Sequence, residues 1–264
     1  MLINRKQSVK INGVLSKWRN ITSDIPQGSV LGPLLFLIYI WDLNINDLHK
    51  PNIMALILKY VDDTKLITKV KNENDIIETQ VILDHIYKWQ SINNMEWNGT
   101  KFVRLSMGPL ITPIETPLFT PEYEQIINQP SNTKDLGVLI DSDARHLSQR
   151  NSAIKKCANK CSWILRTFQC RDPEVLKTLL KSLACPHLDY FALQWAPTNQ
   201  KGQLAALEAP LRAYTKRFEG FQNLNYWQRL AKAKLQSCQR RNDRYRLLYI
   251  FKSIYGHAPS SSKI

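Results

Sequence analysis

The chain has 264 residues, of which 44% are hydrophobic and 22% are charged, a composition typical of a globular protein rather than a disordered one. The length indicates one large or two modest domains. No window approaches the roughly 18 consecutive apolar residues of a transmembrane helix, and the N-terminus lacks a signal-peptide pattern, which predicts an intracellular protein, nuclear or cytoplasmic, without a membrane partner.

The net charge of +14 resides in the second half of the chain. Residues 1–133 hold 13 Lys and Arg against 13 Asp and Glu, whereas residues 134–264 hold 23 against 9, an excess of 14. Such a basic half favours a polyanionic partner such as nucleic acid, because neutralised phosphates release their counterions. A basic face that is merely solvated is the alternative.

The first half is predicted to be mixed α/β. Its short segments SVKING, ALILKYV and TKLITKV are rich in Val, Ile and Leu, which predicts strands. The continuous apolar run LGPLLFLIYIWDL predicts a buried helix. The segment DIIETQVILDHIYKWQ predicts a helix that starts with Asp75 and Glu78 at capping-box spacing. One face of that helix carries Ile76, Leu83, Ile86 and Trp89.

The second half is predicted to be helical from residue 147 nearly to the end, after a proline-rich connector or irregular hairpin at 106–133. Asp172 and Pro173 supply an N-cap and a first-turn proline for one helix. Asn225 and Gln228 have capping-box spacing for another. An apolar stripe at helical spacing consists of Leu204, Leu207, Leu211, Tyr214 and Phe218. Cys157 and Cys161 lie four residues apart, as a metal-binding pair could. Both lie along a helical apolar stripe, however, which favours cysteines buried in the core.

The sequence YVDD at residues 60–63 places Asp62 and Asp63 between two apolar runs. Aspartate forms turns readily because its side chain can bond its own backbone, so a purely structural turn is one interpretation. Paired carboxylates that hold a metal ion are the other. The residues of this motif alone do not decide between the two.

Further motifs accompany YVDD in a characteristic order: IPQGSVLGPLLFLIYI at 25–40, NGTKFVRLSMG at 98–108, KDLGVLID at 134–141, and the later RDPEVLKTLLKSLACPHLDYFALQWAP and LNYWQRL. Together they resemble the reverse transcriptases of non-LTR (LINE-type) retrotransposons, particularly the jockey-like elements. The resemblance implies an α+β fold. Residues 1–108 would form part of a right-hand polymerase palm, 109–146 a connector with a primer-grip-like turn, and 147–264 a basic, all-helical, thumb-like region.

The resemblance also implies site residues. Asp62 and Asp63 match the catalytic aspartate pair, which would bind Mg²⁺ or Mn²⁺. Gln27 and Gly28 match the motif that contacts nucleotide and template, and Lys101 matches a lysine near the triphosphate, although an ordinary solvated lysine is equally compatible. The family's partners are an RNA template, a DNA primer and dNTPs.

In the second half, Leu136 and Gly137 resemble the primer-grip turn, although the glycine is also compatible with a plain turn. The basic helical region there contains four arginines that we expect to face nucleic-acid backbone: Arg240, Arg241, Arg244 and Arg246. This sequence does not indicate an oligomeric state.

Two-metal phosphoryl transfer needs several carboxylates at one point, and two adjacent aspartates cannot both grip the same metal ions fully. The family's third carboxylate lies upstream of the PQG motif, and we expect this chain to lack it. Three hypotheses follow: a reverse transcriptase fragment completed by another segment, a catalytically inactive nucleic-acid-binding remnant, and a transposon-derived product with no role or only a structural one.

Overall fold

The computed structural model describes residues 5–21, 28–44, 53–95, 97–108, 117–120 and 125–258. The described residues form two compact units. Unit 1 comprises those within Met1–Phe102 and Leu110–Asn128, and unit 2 those within Val103–Pro109 and Gln129–Ile264. Both units contain antiparallel strand pairs and helices, which confirms the predicted α+β class.

The strands of unit 1 are short and pair two by two. β1 (Lys6–Gln7) pairs with β4 (Arg19–Asn20), β2 (Lys10–Ile11) with β3 (Val14–Leu15), β5 (Ala55–Tyr60) with β6 (Asp63–Thr68), and β7 (Phe119–Thr120) with β8 (Gln125–Ile126). The segments ALILKYV and TKLITKV are therefore strands, as predicted, and they form one hairpin around YVDD. Of SVKING, only Lys10–Ile11 is a strand.

The long helix of unit 1, α2 (Glu73–Ile92), carries the predicted apolar face. Ile76, Leu83, Ile86 and Trp89 are all buried. The predicted N-terminus was wrong: the capping box uses Asn72 and Asp75, not Asp75 and Glu78. The side chain of Asn72 accepts a hydrogen bond from the Asp75 amide at 3.1 Å, and the Asp75 carboxylate accepts one from the Asn72 amide at 3.2 Å. This reciprocal pair starts the helix three residues earlier than the predicted box would.

The apolar run after Gly28 forms α1 (Leu31–Tyr39), but the prediction of a buried helix was wrong. None of the residues of α1 is buried; the buried side chains of this run are Ile40 and Leu43, which follow the helix. The run is apolar on every side, whereas unit 1 packs only part of it, including Phe36, against Ile82, Ile86 and Trp89. Periodicity cannot assign a buried face to a helix without a polar one.

Unit 2 is mainly helical. After the hairpin of β9 (Asn132–Asp135) and β10 (Val138–Asp141) come α3 (Leu147–Thr167), α4 (Pro173–Leu179), a π-helical turn (Leu180–Ala184), α5 (Cys185–Asp189), α6 (Ala192–Trp195), α7 (Lys201–Thr215), α8 (Tyr226–Lys232) and α9 (Cys238–Ile254). Asp172 caps α4, and Asn225 with Gln228 forms the capping box of α8, both as predicted. Among the described helices, none has the length and apolar character needed to cross a membrane.

The core of unit 2 contains four of the five residues of the predicted stripe: Leu207, Leu211, Tyr214 and Phe218 are each exposed by 1% or less, whereas Leu204 is only partly buried. Tyr214 donates a hydrogen bond to the Leu176 carbonyl at 3.1 Å, which joins α7 to α4. Cys157 and Cys161 lie in the same core, as predicted. Within the described ranges, no three His, Cys, Asp or Glu side chains form a group suited to a metal ion.

The cysteines offer a test of this packing. Cys170 is exposed, and the other four are buried; burial raises the pKa of the Cys185 thiol to about 11. Since the thiolate is the reactive form, we expect a disulfide reagent at about pH 8 to modify one thiol in the folded chain and all five in denaturant. The Cys170→Ser variant should show no fast-reacting thiol, and fast modification of two thiols in the folded chain would contradict this core.

Candidate functional site

The two aspartates of YVDD lie at the tip of the β5–β6 hairpin. Tyr60 pairs with Asp63, so Val61 and Asp62 form a two-residue turn. Val61 has a φ of 53°, a left-handed conformation that a β-branched residue rarely adopts. A positive φ at the first turn position suits the right-handed twist of a hairpin. The turn thus presents Asp62 at the tip and Asp63 at the start of β6, both exposed to solvent.

The two faces of this hairpin differ. On one face, Ile57 and Leu66 lie opposite each other and pack against the core of unit 1. On the other face, Leu56, Leu58 and Ile67 remain exposed by 45% to 46%. Asp63 lies on this second face, directly opposite Tyr60. The aspartate tip is therefore anchored through one face only among the described residues.

Lys59 fixes the position of this hairpin relative to α1. Its ammonium group donates hydrogen bonds to the carbonyls of Ile40 at 2.7 Å, Leu43 at 3.0 Å and Trp41 at 3.3 Å. These carbonyls follow the last turn of α1, where backbone acceptors lack helical partners. Lys59 was not among the predicted site residues, although the sequence pattern could have identified it. It lies on the inward face of β5, where the other residues, Ala55 and Ile57, are apolar.

The other predicted site residues of unit 1 are less constrained. Gly28 has a φ of +79°, and a Cβ there would meet no atom within 4 Å, so the backbone conformation rather than space favours glycine. Gln27 lies outside the described residues. Lys101 ends a 3₁₀ turn, Gly99–Lys101, and is exposed. Asn98 caps this turn by accepting a hydrogen bond from the Thr100 amide.

The aspartate pair alone does not complete a two-metal site. Carboxylate oxygens are the ligands that Mg²⁺ prefers, and both Asp62 and Asp63 are accessible. Two-metal chemistry requires further carboxylates at the same point, and the described part of the chain brings no third one to the pair. These residues therefore fit a contribution to a metal site, not the whole site.

The predicted primer-grip residues form the turn between β9 and β10. Leu136 and Gly137 both have positive φ, 44° and 85°, as a two-residue type I′ turn requires. The Tyr190 hydroxyl donates a hydrogen bond to the Leu136 carbonyl at 2.8 Å, and its ring lies 3.5 Å from the position of a Cβ on Gly137. Tyr190, which sequence reasoning missed, therefore supports the turn that the motif indicated.

The four arginines of α9 divide into two pairs. Arg241 donates to the Asp189 carboxylate at 2.9 Å, and Arg246 pairs with Asp243 at 3.2 Å and donates to the Ala196 carbonyl at 2.8 Å. Arg240 and Arg244 are exposed. Arg240 and Arg244 are therefore the two that remain accessible to a nucleic-acid backbone, whereas Arg241 and Arg246 make contacts within unit 2. The nucleic-acid role of all four stays a prediction.

A second basic region, which the sequence analysis missed, lies between α7 and α8. A cleft of about 480 Å³ is lined by Arg212, Lys216 and Arg229, without an acidic residue. The Arg212 guanidinium lies 4.2 Å from the centroid of the Tyr226 ring and 5.8 Å from that of Trp227, an exposed aromatic side chain. Cations beside an exposed aromatic ring are typical of surfaces that bind nucleic-acid strands.

Comparison with known proteins confirms the resemblance that the motifs indicate: the chain is similar to RNA-directed DNA polymerases, or reverse transcriptases, of non-LTR mobile elements. It is 23% identical over 209 residues to the probable RNA-directed DNA polymerase from transposon X-element of Drosophila melanogaster. It is also 26% identical over 200 residues to the RNA-directed DNA polymerase from mobile element jockey of Drosophila funebris. No family model and no solved structure matches the chain.

These matches cover most of this chain but little of each relative. The region aligned with the X-element protein is 74% of this chain and 21% of that protein. The region aligned with the jockey protein of Drosophila funebris is 72% of this chain and 21% of that protein. For the probable RNA-directed DNA polymerase from transposon BS of Drosophila melanogaster, it is 62% and 19%. The chain thus spans about a fifth of the curated relatives that it matches.

Replacement of Lys59 tests the anchoring of the aspartate hairpin. We expect Lys59→Met to lower the free energy of unfolding of unit 1 by about 1–3 kcal/mol, because three carbonyls lose a charged donor. The matched control is Lys69→Met, which removes an exposed lysine just after β6. Urea unfolding measured by circular dichroism compares the two, and equal effects of both substitutions would contradict the anchoring role.

Proposed function

We propose that this chain is part of a non-LTR reverse transcriptase. Residues 1–108 form part of its polymerase palm, residues 109–146 a connector with the primer-grip turn, and residues 147–264 its thumb-like region. The observation that carries the proposal is the position of the matched aspartates. Asp62 and Asp63 lie exposed at the tip of a strained hairpin, in a chain similar to four RNA-directed DNA polymerases.

In this proposal, each matched residue has a role in template-directed addition of dNTPs to a DNA primer. The carboxylates of Asp62 and Asp63 bind Mg²⁺ or Mn²⁺, which neutralises the charge that develops on the transferred phosphate. Gln27 and Gly28 contact nucleotide and template, Lys101 the triphosphate, and the Leu136–Gly137 turn the primer. The remaining carboxylates come from a segment outside the described residues.

Primer extension tests this proposal. The 264-residue chain and the longest protein that its gene encodes are each incubated with an RNA template, a DNA primer, dNTPs and Mg²⁺ or Mn²⁺. Primer elongation, which we expect only where the remaining carboxylates are present, is followed on a gel. We expect Asp62→Asn combined with Asp63→Asn to reduce elongation at least about a hundredfold, since metal ligation supplies several kcal/mol of charge stabilisation. The control is Asp42→Asn, an exposed aspartate just after α1, which should leave elongation unchanged.

The outcomes separate two functions. Elongation that survives the double substitution contradicts the assigned site. The unaltered chain is tested in parallel for binding to an RNA–DNA duplex, and binding without elongation supports the second candidate function, a catalytically inactive nucleic-acid-binding protein. The excess of 14 positive charges in residues 134–264 favours this second candidate, together with the exposed cations of unit 2.

Salt dependence tests nucleic-acid binding. For the RNA–DNA duplex, we expect the logarithm of the binding constant to fall linearly with the logarithm of salt concentration. Arg240→Gln with Arg244→Gln, or Arg212→Gln with Lys216→Gln, should each reduce this slope by about two, one for each lost phosphate contact. Lys6→Gln with Lys10→Gln, two exposed lysines of unit 1, is the control. A binding constant that does not change with salt concentration for the unaltered chain would exclude binding to the nucleic-acid backbone.

A further inference from the structure

Unit 2 contains a second cleft, of about 450 Å³, which none of the predicted site residues lines. We call it the α3 cleft, because His146 and Arg150 line it from the N-terminal end of α3. The opposite wall consists of Trp195 at the end of α6, the following residues 196–198, and Gln203 in the first turn of α7. All of these residues belong to one compact unit.

Arg150 is the unusual residue of the α3 cleft. Its side chain is buried, with 9% of the residue exposed, and its one hydrogen bond runs from Nη1 to the Trp195 carbonyl at a long 3.4 Å. Its Nε has no acceptor, and the described residues place no carboxylate within ion-pair distance of the guanidinium. Buried arginines are rarely left without an anionic partner, because removing the charge from water is costly.

Two further buried polar atoms around the same cleft lack partners. His146 Nδ1 and Gln203 Oε1 make no hydrogen bond. An unsatisfied buried polar atom destabilises a fold, and such atoms are uncommon. Three of them on the walls of one cleft mark a place where a ligand or bound water completes their hydrogen bonds.

The charge around the α3 cleft determines the class of ligand. Its lining includes Arg145, His146 and Arg150 and contains no acidic residue. The Asp141 carboxylate accepts a hydrogen bond from the Ser148 amide at 3.0 Å and so offsets the positive end of α3, which leaves the Arg150 guanidinium as the buried cation of the cleft. An oxyanion suits such a site. Gln203 Oε1 can only accept a hydrogen bond, so a single ligand that satisfies all three atoms also carries a donor.

We propose that the α3 cleft binds a phosphate group that retains a proton, either inorganic phosphate or the phosphate monoester of a nucleotide or nucleic-acid end. The phosphate oxygens accept hydrogen bonds from Arg150 and His146, and the phosphate hydroxyl donates one to Gln203. Because the three protein atoms expose almost no surface, their side chains rotate toward the cleft when the ligand enters. The site is independent of the aspartate hairpin, so failure of polymerase activity leaves this proposal standing.

Melting of the full chain tests the proposal. At equal ionic strength, we expect inorganic phosphate to raise the melting temperature more than sulfate or chloride does, because sulfate lacks the proton that Gln203 accepts. Titration calorimetry then gives the affinity. No excess of phosphate over chloride would overturn the proposal, and an equal response to sulfate would overturn the assignment of phosphate as the ligand.

Substitution of Arg150 separates a binding role from a structural one. Arg150→Met removes an unpaired buried charge but keeps a side chain of similar length, so the melting temperature without phosphate should rise. The affinity for phosphate should fall roughly ten- to hundredfold, as expected for loss of charged hydrogen bonds. The control is Arg217→Met, an exposed arginine after α7, which should change neither quantity. Unchanged phosphate affinity in Arg150→Met would overturn the proposal.

A second substitution and a competition experiment complete the test. Gln203→Met should abolish the preference for phosphate over sulfate, and it serves as the test variant if Arg150→Met does not fold. A persistent preference would overturn the role of Gln203. Two oligonucleotides of one sequence, with and without a 5′-phosphate, then compete with inorganic phosphate at about pH 6, where a large fraction of the phosphate monoester keeps its proton. Selective competition by the phosphorylated one identifies nucleic-acid ends as the source, and no competition by either identifies free phosphate; both outcomes support the site.

Discussion

The free-energy cost of removing a charge from water determines much of the packing of unit 2. Nearly every buried ionic group that the structure describes there has a hydrogen-bonding partner within the unit. The buried Glu208 carboxylate accepts hydrogen bonds from the Tyr226 hydroxyl and from the backbone amide of Gln239. These two contacts join α7, α8 and α9. Burial and this contact with Glu208 raise the pKa of the Tyr226 hydroxyl well above its usual range, so it remains a donor. Arg229 donates to the Thr215 hydroxyl and to two carbonyls. These pairs determine how the helices of unit 2 meet.

The same constraint decides which cations are available to a polyanion. Arg241 and Arg246 belong to the internal network, whereas Arg240, Arg244, Arg212 and Lys216 are exposed. The positive charge of residues 134–264 is therefore not one uniform face. Part of it holds helices together, and the remainder is free to attract phosphate. Arg150 belongs to neither group, since it is buried, has no carboxylate partner among the described residues and makes one long side-chain hydrogen bond, and that exception defines the α3 cleft.

The sequence predicted the parts of this fold that depend on local periodicity and capping. The strands around YVDD, the buried face of α2, and the caps at Asp172 and Asn225 follow from side-chain spacing alone, and all are present. The burial of α1 could not be predicted, because its apolar run has no polar face that orients it. The sequence likewise could not show that Arg241 is bound within unit 2 whereas its neighbour Arg240 is exposed. Residues on one helix acquire different partners from elements far away in sequence, such as Asp189.

The conformation of Val61 has a consequence for how the aspartates are presented. A valine in the left-handed region costs of order 1–3 kcal/mol, and its branched Cβ restricts the rotation of its own side chain. Glycine would relieve this cost but would also gain freedom in the unfolded chain, so the two effects oppose each other. The valine does not hold this shape by itself, so the strand pairing on both sides of the turn, which begins at Tyr60 and Asp63, must impose it. The position of Asp62 at the tip therefore depends on the intact β5–β6 ladder rather than on the turn residues alone.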